Sequence, residues 1–514
     1  MTARLFFLLL GAFPLVAHAQ VRIETGLISG TAGNNPTVRV FKGIPFAAPP
    51  TGDLRWAPPR PVTPWEGVRT ATEFAPSCPQ HPYTKDSLYY RPPSPASEDC
   101  LYLNVWTAAA GTDERRPVMV WIHGGALTRG SGSLPHYDGT ALATKGVVVV
   151  TINYRLGALG FMAHPQLSAE SEHGSSGNYG FLDQVAALRW VQRNITAFGG
   201  DPSRVTIVGE SAGARSVCVL MATPLARGLF HRAIGQSGGC FGTMPTQEDA
   251  EKAGAEFAKA LGADDENAIR SLRALPAQAI LKQDTGARLP VSVDGWLIPN
   301  ETASIFAAAR HNDVPLIVGS NADEGTAFVR WPEDRSAAAY RAIVGKRFGK
   351  LSEQFLRLYP ASTDIAGQVA AVDSFRDEVF GWQARTWARH VANSGSSKAY
   401  LYYFTRVPPG ATAGRYGAYH AAEIPYMFNN LLPPRPWEAL DRALAETMLG
   451  YWVSFATTGR PGGDGLPLWP AYDPTTGETM ELGETVTVRR HVNRAELDFF
   501  DAYQQQRREG GANR

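Results

Sequence analysis

Two serines lie in a Gly-x-Ser-x-Gly pattern, within the segments Gly209-Glu210-Ser211-Ala212-Gly213 and Gly235-Gln236-Ser237-Gly238-Gly239. Ser211 follows the β-branched run Val205–Val208 and precedes a helix-compatible run, Ala212–Ala222. A serine on a tight strand-to-helix turn presents its hydroxyl at the positive end of a helix, where an oxyanion is stabilised. Ser237 is followed by two glycines, which start a helix poorly. The pattern therefore predicts Ser211 as a nucleophile and Ser237 as a supporting or structural residue.

A loop of small residues lies upstream, directly after the apolar run Val118–Ile122, and reads His123-Gly124-Gly125-Ala126-Leu127. Binding an oxyanion requires backbone N–H groups that point into one cavity, and bulky side chains would block the approach of the substrate. We predict that the N–H groups of Gly125 and Ala126, together with that of Ala212, form an oxyanion hole.

His420 is the favoured general base among the 11 histidines. Hydrolases with this serine turn carry the nucleophile, the acid and the histidine in that chain order. Late in the chain, only His390, His420 and His491 qualify. His390 lies in a helical run and His491 in a polar tail, whereas His420 lies in a loop that leads into an apolar run.

The acid that would orient His420 is expected after the apolar run Leu316–Val318, in the segment Gly319-Ser320-Asn321-Ala322-Asp323-Glu324-Gly325. Parallel α/β sheets hold their functional groups at the carboxyl ends of strands. The residues by themselves leave both Asp323 and Glu324 open.

Four short apolar runs predict the strands that position these groups: Val118–Ile122, Val147–Ile152, Val205–Val208 and Leu316–Val318. Helical spacing predicts a helix over Phe181–Phe198, a helical pair over Glu248–Leu281 and a helix over Asp373–Ala392. Continuous apolar strands are typical of a parallel sheet that is covered on both faces. The alternation predicts an α/β fold. Since no linker or composition break interrupts the chain, we expect residues 20–514 to form a single domain.

Residues 1–19 predict a cleaved secretory signal peptide. Arg4 precedes the apolar run Leu5–Val16, and Ala17-His18-Ala19 supplies the small-residue cleavage pattern. The apolar run is too short to span a membrane. We therefore expect a secreted or periplasmic protein without stable membrane insertion.

The chain has four cysteines, and an even number in an exported protein predicts two disulfides among three possible connectivities. Pairing of neighbours, Cys78 with Cys100 and Cys218 with Cys240, closes two loops of equal length. No Cys-x-x-Cys motif or Cys/His cluster has the spacing of a zinc site, so we expect no metal and no cofactor. The balance of 49 basic and 48 acidic residues disfavours nucleic acid as a partner.

Taken together, these segments resemble the type-B carboxylesterase family, which also includes cholinesterases and the non-catalytic neuroligins. Further matching stretches are 41–47, 97–105, 153–157 and 177–184, and the resemblance spans residues 21–469. The resemblance implies an α/β-hydrolase fold with a large, mostly parallel sheet, flanking helices and excursions over a deep pocket. It also implies hydrolysis of a small-molecule ester through an acyl-enzyme.

The resemblance assigns the acid to Glu324 and a disulfide to Cys78 and Cys100. It matches Ser237 to a serine that supports the acid, and we expect Glu210 to support the site from beside the nucleophile. The chain departs from the family at Ala126 and Ala421, where many members have glycine. Alanine at position 126 still has the backbone N–H group that the oxyanion hole requires.

Three residues are candidates for substrate binding. Leu127 follows the oxyanion loop and favours an apolar pocket. If Arg129 or Arg215 faces that pocket, a guanidinium would favour esters with a nearby carboxylate. Two other functions stay open, a lipase with residues 79–99 as its lid and a binding protein on a hydrolase scaffold.

Overall fold

The computed structural model describes residues 20–284, 289–330 and 333–511. The predicted signal peptide, residues 1–19, lies outside the described residues. The strands are β1 Gln20–Ile23, β2 Gly26–Ser29, β3 Thr31–Ala32, β4 Arg39–Pro45, β5 Val68–Thr70, β6 Tyr102–Thr107, β7 Arg116–Ile122, β8 Val148–Ile152, β9 Gly200–Glu210, β10 Arg232–Gln236, β11 Leu316–Asn321, β12 Ala399–Phe404, β13 Glu478–Leu482 and β14 Val486–Arg490.

The α-helices are α1 Thr140–Thr144, α2 Gly157–Phe161, α3 Pro165–Glu170, α4 Tyr179–Asn194, α5 Ala212–Ala222, α6 Gln247–Ala260, α7 Ala268–Ala274, α8 Ala277–Gln283, α9 Thr302–Ala307, α10 Ala337–Phe348, α11 Ser352–Leu358, α12 Asp364–Arg376, α13 Trp382–Ser394, α14 Ala413–Tyr416, α15 Ile424–Met427, α16 Ala439–Thr458 and α17 Arg494–Gly511.

One large sheet organises the described residues. Its 11 strands follow the order β14-β13-β12-β11-β10-β9-β7-β8-β6-β4-β3. The strands from β13 to β8 pair in parallel, whereas both ends of the sheet are antiparallel. A second sheet joins β1, β2 and β5. The sheet confirms the predicted α/β fold, and its parallel centre carries all four predicted strands.

The central strands are apolar at nearly every position because both faces of the sheet are covered. In β7, Val118 and Val120 pack in one buried cluster while Met119 and Trp121 pack in another. Helices α4, α5 and α13 supply the first cluster, and α1 and α16 supply the second. Side chains alternate across a strand, so each face of β7 needs its own apolar partners.

The predicted helices differ from the observed ones in their bounds. The expected pair over Glu248–Leu281 is three helices, because Gly262 with φ +78° follows α6 and Pro276 separates α7 from α8. The expected helix over Asp373–Ala392 is longer and begins with α12. A π-helical turn, Asp377–Gly381, joins α12 to α13.

Both neighbour disulfides, Cys78–Cys100 and Cys218–Cys240, are formed, and each closes a span of 22 residues. Such bonds fit a protein that works in an oxidising, extracellular environment. In the parts of the chain that the structure describes, no helix has the length and apolar character to cross a membrane.

Candidate active site

Ser211 lies on the turn between β9 and α5, with φ +57° and ψ −119°. Its backbone N–H donates to the carbonyl of Gln236 at 2.8 Å. A Cβ on Gly209 would overlap Gly213, and a Cβ on Gly213 would overlap the carbonyl of Ile122. The two glycines of the motif are therefore required by close backbone approach, and Ser211 sits half-buried at the carboxyl edge of the sheet.

The predicted oxyanion loop packs directly against this turn. A Cβ on Gly124 would lie 3.1 Å from the Cβ of Ser211. Gly125, Ala126 and Leu127 have φ values of +104°, +59° and +62°. Among the described residues, the N–H groups of Gly125 and Ala126 have no hydrogen-bond acceptor. Backbone donors left unpaired beside a serine can bind an anion.

His420 pairs with Glu324. Its Nδ1 lies 2.5 Å from Glu324 Oε2, and both side chains are buried. The backbone N–H of Asn321 donates to the other carboxylate oxygen of Glu324 at 2.8 Å. Asp323, the other candidate acid, instead accepts a hydrogen bond from the N–H of Ala418 at 2.7 Å and so holds the loop before the histidine.

The other ring nitrogen of His420 faces the serine turn. Nε2 lies 3.1 Å from Oε1 of Glu210, the residue before Ser211, and forms no hydrogen bond within the described chain. The rings of Phe328 and Phe380 pack on the imidazole, with centroids 4.8 and 4.7 Å away. The imidazole is thus fixed by Glu324 and two aromatic rings, while Nε2 is free to exchange a proton.

Burial and neighbouring carboxyl groups set the electrostatics. Burial lowers the pKa of His420, but the charges of Glu210 and Glu324 outweigh it and raise the pKa to about 9. Burial raises the pKa of Glu210 to about 8, and the positive charge of His420 opposes that rise. Because the two groups face each other, they titrate as a pair.

A third buried carboxyl group, Glu423, lies behind the histidine, and the sequence reasoning missed it. It accepts hydrogen bonds from Gln236 Nε2 at 2.9 Å and from Asn321 Nδ2 at 2.6 Å. Burial and the charge of Glu324 raise its pKa. In the sequence, Glu423 stands out only because it lies three residues after His420. This spacing indicates that both side chains can lie on the same side of a turn, but it indicates no partner for Glu423.

Ser237 lies at the end of β10 with φ +53°, and its N–H donates to the carbonyl of Gly319 at 2.9 Å. Its side chain is fully buried, and its Oγ has no hydrogen-bond partner in the described parts of the chain. Its predicted role in supporting the acid stays a prediction.

The three candidate substrate residues surround the serine turn. Leu127 is buried beside the oxyanion loop. Arg129 follows it, with its guanidinium carbon 4.9 Å from the ring centre of Tyr83. Arg215 lies one helical turn after Ser211, and its N–H donates to the carbonyl of Ser211 at 3.0 Å.

The loop 79–99, the candidate lid, contains no helix. Its Tyr89 hydroxyl donates to the carbonyl of His420 at 3.0 Å. Gln80 pairs with the backbone of Gly130 through two hydrogen bonds of 2.8 Å. The loop is held at both walls of the site, which does not favour a mobile lid.

A cavity of about 240 Å³ lies on the far side of the π-helical turn, lined in part by Asp377, Gly381, Arg385 and Tyr472. None of Ser211, Glu324 and His420 lines it. This cavity is therefore separate from the candidate site at the serine turn.

A model of the carboxylesterase family matches residues 17–500. The chain belongs to the carboxylesterase family. It is 40% identical over 493 residues to a fumonisin B1 esterase of Sphingopyxis macrogoltabida, covering 92% of this chain and 87% of that protein. It is 37% identical over 501 residues to a para-nitrobenzyl esterase of Bacillus subtilis, covering 92% and 96%.

Solved structures of this family share the fold. A thermophilic PNB esterase matches with a TM-score of 0.82 and 34% identity, covering 94% of this chain and 100% of that one. A further PNB esterase matches with a TM-score of 0.81 and 35% identity, covering 94% and 99%. The α/β-hydrolase fold expected from the sequence is confirmed.

Proposed function

We propose that the protein is a serine carboxylesterase in which Ser211, His420 and Glu324 form the catalytic triad. The observation that carries the proposal is the buried His420–Glu324 pair, 2.5 Å apart, with Nε2 turned toward the serine turn. A carboxylate on Nδ1 fixes the tautomer that leaves Nε2 as the base. Hydrogen bonds of a catalytic histidine to its serine are often long before substrate binds.

In the proposed reaction, Ser211 Oγ attacks the ester carbonyl and His420 takes its proton. The N–H groups of Gly125, Ala126 and Ala212 stabilise the oxyanion. His420 then donates the proton to the leaving alcohol, which departs and leaves an acyl-enzyme. Water attacks the acyl carbonyl while its proton passes to His420. His420 then gives this proton to Ser211 Oγ as the bond between Oγ and the acyl carbon breaks, which releases the acid product and restores the serine hydroxyl. Loss of one oxyanion donor costs about 3 kcal/mol in such reactions.

We further propose that the enzyme acts outside the cytoplasm on small-molecule esters. The two disulfides and the predicted signal peptide, residues 1–19, support export. Cleavage is tested by the mass of the protein recovered from the producing cells, which we expect to begin at Gln20.

Substitution Ser211→Ala tests the nucleophile. We expect at least a 1000-fold loss of nitrophenyl acetate hydrolysis, because no other group would form the acyl-enzyme. An organophosphate should add to the peptide that contains Ser211 in the wild type and not in the variant, as read by mass spectrometry. A folded Ser211→Ala protein with normal turnover would contradict the proposal, and a folded wild type with no turnover and no adduct would favour the binding-protein alternative.

A further inference from the structure

Arg129 carries a positive charge that forms no ion pair with an acidic residue in the described parts of the chain. It closes the oxyanion loop, since its backbone N–H donates to the carbonyl of Gly125 at 3.0 Å. Its Nε is buried without a hydrogen-bond partner. In the described chain, no carboxylate oxygen lies within 4.0 Å of its guanidinium. Arg129 as a whole is only partly buried, so its guanidinium is accessible and can accept an anion as its partner.

Two tyrosines of loop 79–99 connect Arg129 to the candidate base. The guanidinium of Arg129 stacks on Tyr83, whose ring centroid lies 5.8 Å from that of Tyr89. The hydroxyl of Tyr89 bonds to the backbone of His420. Burial raises the pKa of the Tyr83 hydroxyl, and the charge of Arg129 opposes that rise. Arg129 therefore borders the same space as the oxyanion loop and His420.

Further arginines lie around this space. Arg435 donates to the hydroxyl of Tyr419, the residue before His420, at 3.1 Å. Burial and the charges of Arg91 and Arg435 together lower the pKa of the neighbouring His136 to about 4. Neither arginine forms an ion pair with a described residue. These arginines lie on the side of loop 79–99, whereas the carboxyl groups Glu210, Glu324 and Glu423 surround His420.

We propose that the preferred substrates are esters that carry a carboxylate within a few bonds of the scissile carbonyl, with Arg129 as the specificity-determining residue that binds it. The proposal rests on the proposed esterase function and names its substrate class. A guanidinium offers a planar pair of donors that matches a carboxylate. The surrounding arginines would attract the anion before it reaches Arg129.

The test compares monoethyl glutarate with its monoamide, which has the same size and no charge. For the wild type, we expect kcat/KM for the acid to exceed that for the amide. Arg129→Gln should lower this ratio by roughly 10- to 100-fold, the range for loss of a hydrogen bond to a charged group. Arg193→Gln is the matched control, because Arg193 forms a surface pair with Glu24; it should leave the ratio unchanged.

Salt supplies a second readout, because screening weakens attraction between exposed charges. The wild-type ratio should fall as the salt concentration rises, and the ratio of Arg129→Gln should change less. A merely structural role of Arg129 would lower both rates equally and leave the ratio intact, which would overturn the proposal. Equal rates for the two esters in the wild type would overturn it as well, with the esterase function still standing. Hydrolysis of neither ester, without labelling of Ser211, would overturn both.

Discussion

At the scale of single residues, the site is defined by carboxyl groups that surround one imidazole. Glu324 holds Nδ1 of His420, Glu210 faces Nε2, and Glu423 lies behind. In the proposed triad, Glu324 orients His420 and stabilises its charged form. Burial raises the pKa of Glu210, and the charge of His420 opposes that rise. The protonation states of His420 and Glu210 are therefore coupled.

We predict an alkaline pH dependence. Imidazolium cannot accept the serine proton, and the pKa of His420 lies at about 9, so kcat/KM should rise as pH increases from 6 to 9. Glu210→Gln removes a charge that stabilises imidazolium, so the rising limb should move to lower pH, on the order of one unit. Initial rates on a neutral ester across this range check both points. If the rising limb of the kcat/KM profile stayed at the same pH in Glu210→Gln, Glu210 would not act on the pKa of His420.

Ser211 stores backbone strain, because φ +57° is uncommon for a residue with a Cβ. Both Ser211→Gly and Ser211→Ala should abolish turnover, but only glycine relieves the strain. We expect the glycine variant to be more stable than the alanine variant by about 1 kcal/mol, or about 1 °C for a chain of this size. Scanning calorimetry at one scan rate measures the difference. A lower melting temperature for the glycine variant would contradict it.

The residue types and their chain order predict Ser211, His420 and the oxyanion loop as the reactive groups, and their roles stay predictions. Local chemistry could not separate Asp323 from Glu324, because both carboxyl groups follow the same strand and only the fold shows which one turns toward His420. The sequence placed Glu210 beside the nucleophile but indicated no particular partner for it, so its contact with His420 was not predicted.

At the scale of elements, loop 79–99 connects the oxyanion-loop side of the site to the side that carries His420. It touches the oxyanion loop through Gln80 and the histidine through Tyr89. The disulfide Cys78–Cys100 closes it at its base. The second disulfide, Cys218–Cys240, joins α5 to the segment after β10 and closes an equal span. Because it lies outside loop 79–99, it serves as a control for the first disulfide.

We predict that the two disulfides contribute equally to stability and unequally to activity. Cys78→Ser/Cys100→Ser and Cys218→Ser/Cys240→Ser should each destabilise the fold by about 3 kcal/mol by loop entropy. Only the first pair should lower kcat/KM by more than tenfold at a temperature where both variants are folded, because it frees loop 79–99. Equal activity losses would show that loop 79–99 does not position His420.

Strands were easier to predict than helices, for a physical reason. Buried parallel strands are short apolar runs, and β7, β8, β9 and β11 contain nearly all of the runs that were recognised. The bounds of a helix depend on the residues that end it. Apolar spacing continues through Gly262 and Pro276, so the breaks between α6, α7 and α8 were hidden.

At the scale of the whole molecule, one sheet connects distant parts of the chain. Its strands run from β3 near the amino end to β14 near the carboxyl end. β10, which begins at Arg232, pairs with β9 on one side and with β11 on the other. The pairing of β10 with β11 joins the strands of the first half of the chain to those of the second half in one sheet, and a single domain over residues 20–514 stays a prediction.

We therefore expect thermal unfolding in a single calorimetric transition. Near-ultraviolet circular dichroism and intrinsic fluorescence should change at the same temperature, because Trp121 of β7 and Trp452 of α16 lie in one buried cluster. Two separated transitions would show that the chain contains independent units.

The two ends of the sheet bear on how the protein behaves when it is concentrated. At one end, β3 has only two residues, too few to template another strand. At the other, β14 carries Arg489 and Arg490 with more than half of each side chain in water. A strand of a second chain that paired with β14 would have to desolvate these charged groups, which disfavours growth into fibrils. An esterase built in this way can stay dispersed at high concentration even though its centre is made of runs of valine and isoleucine.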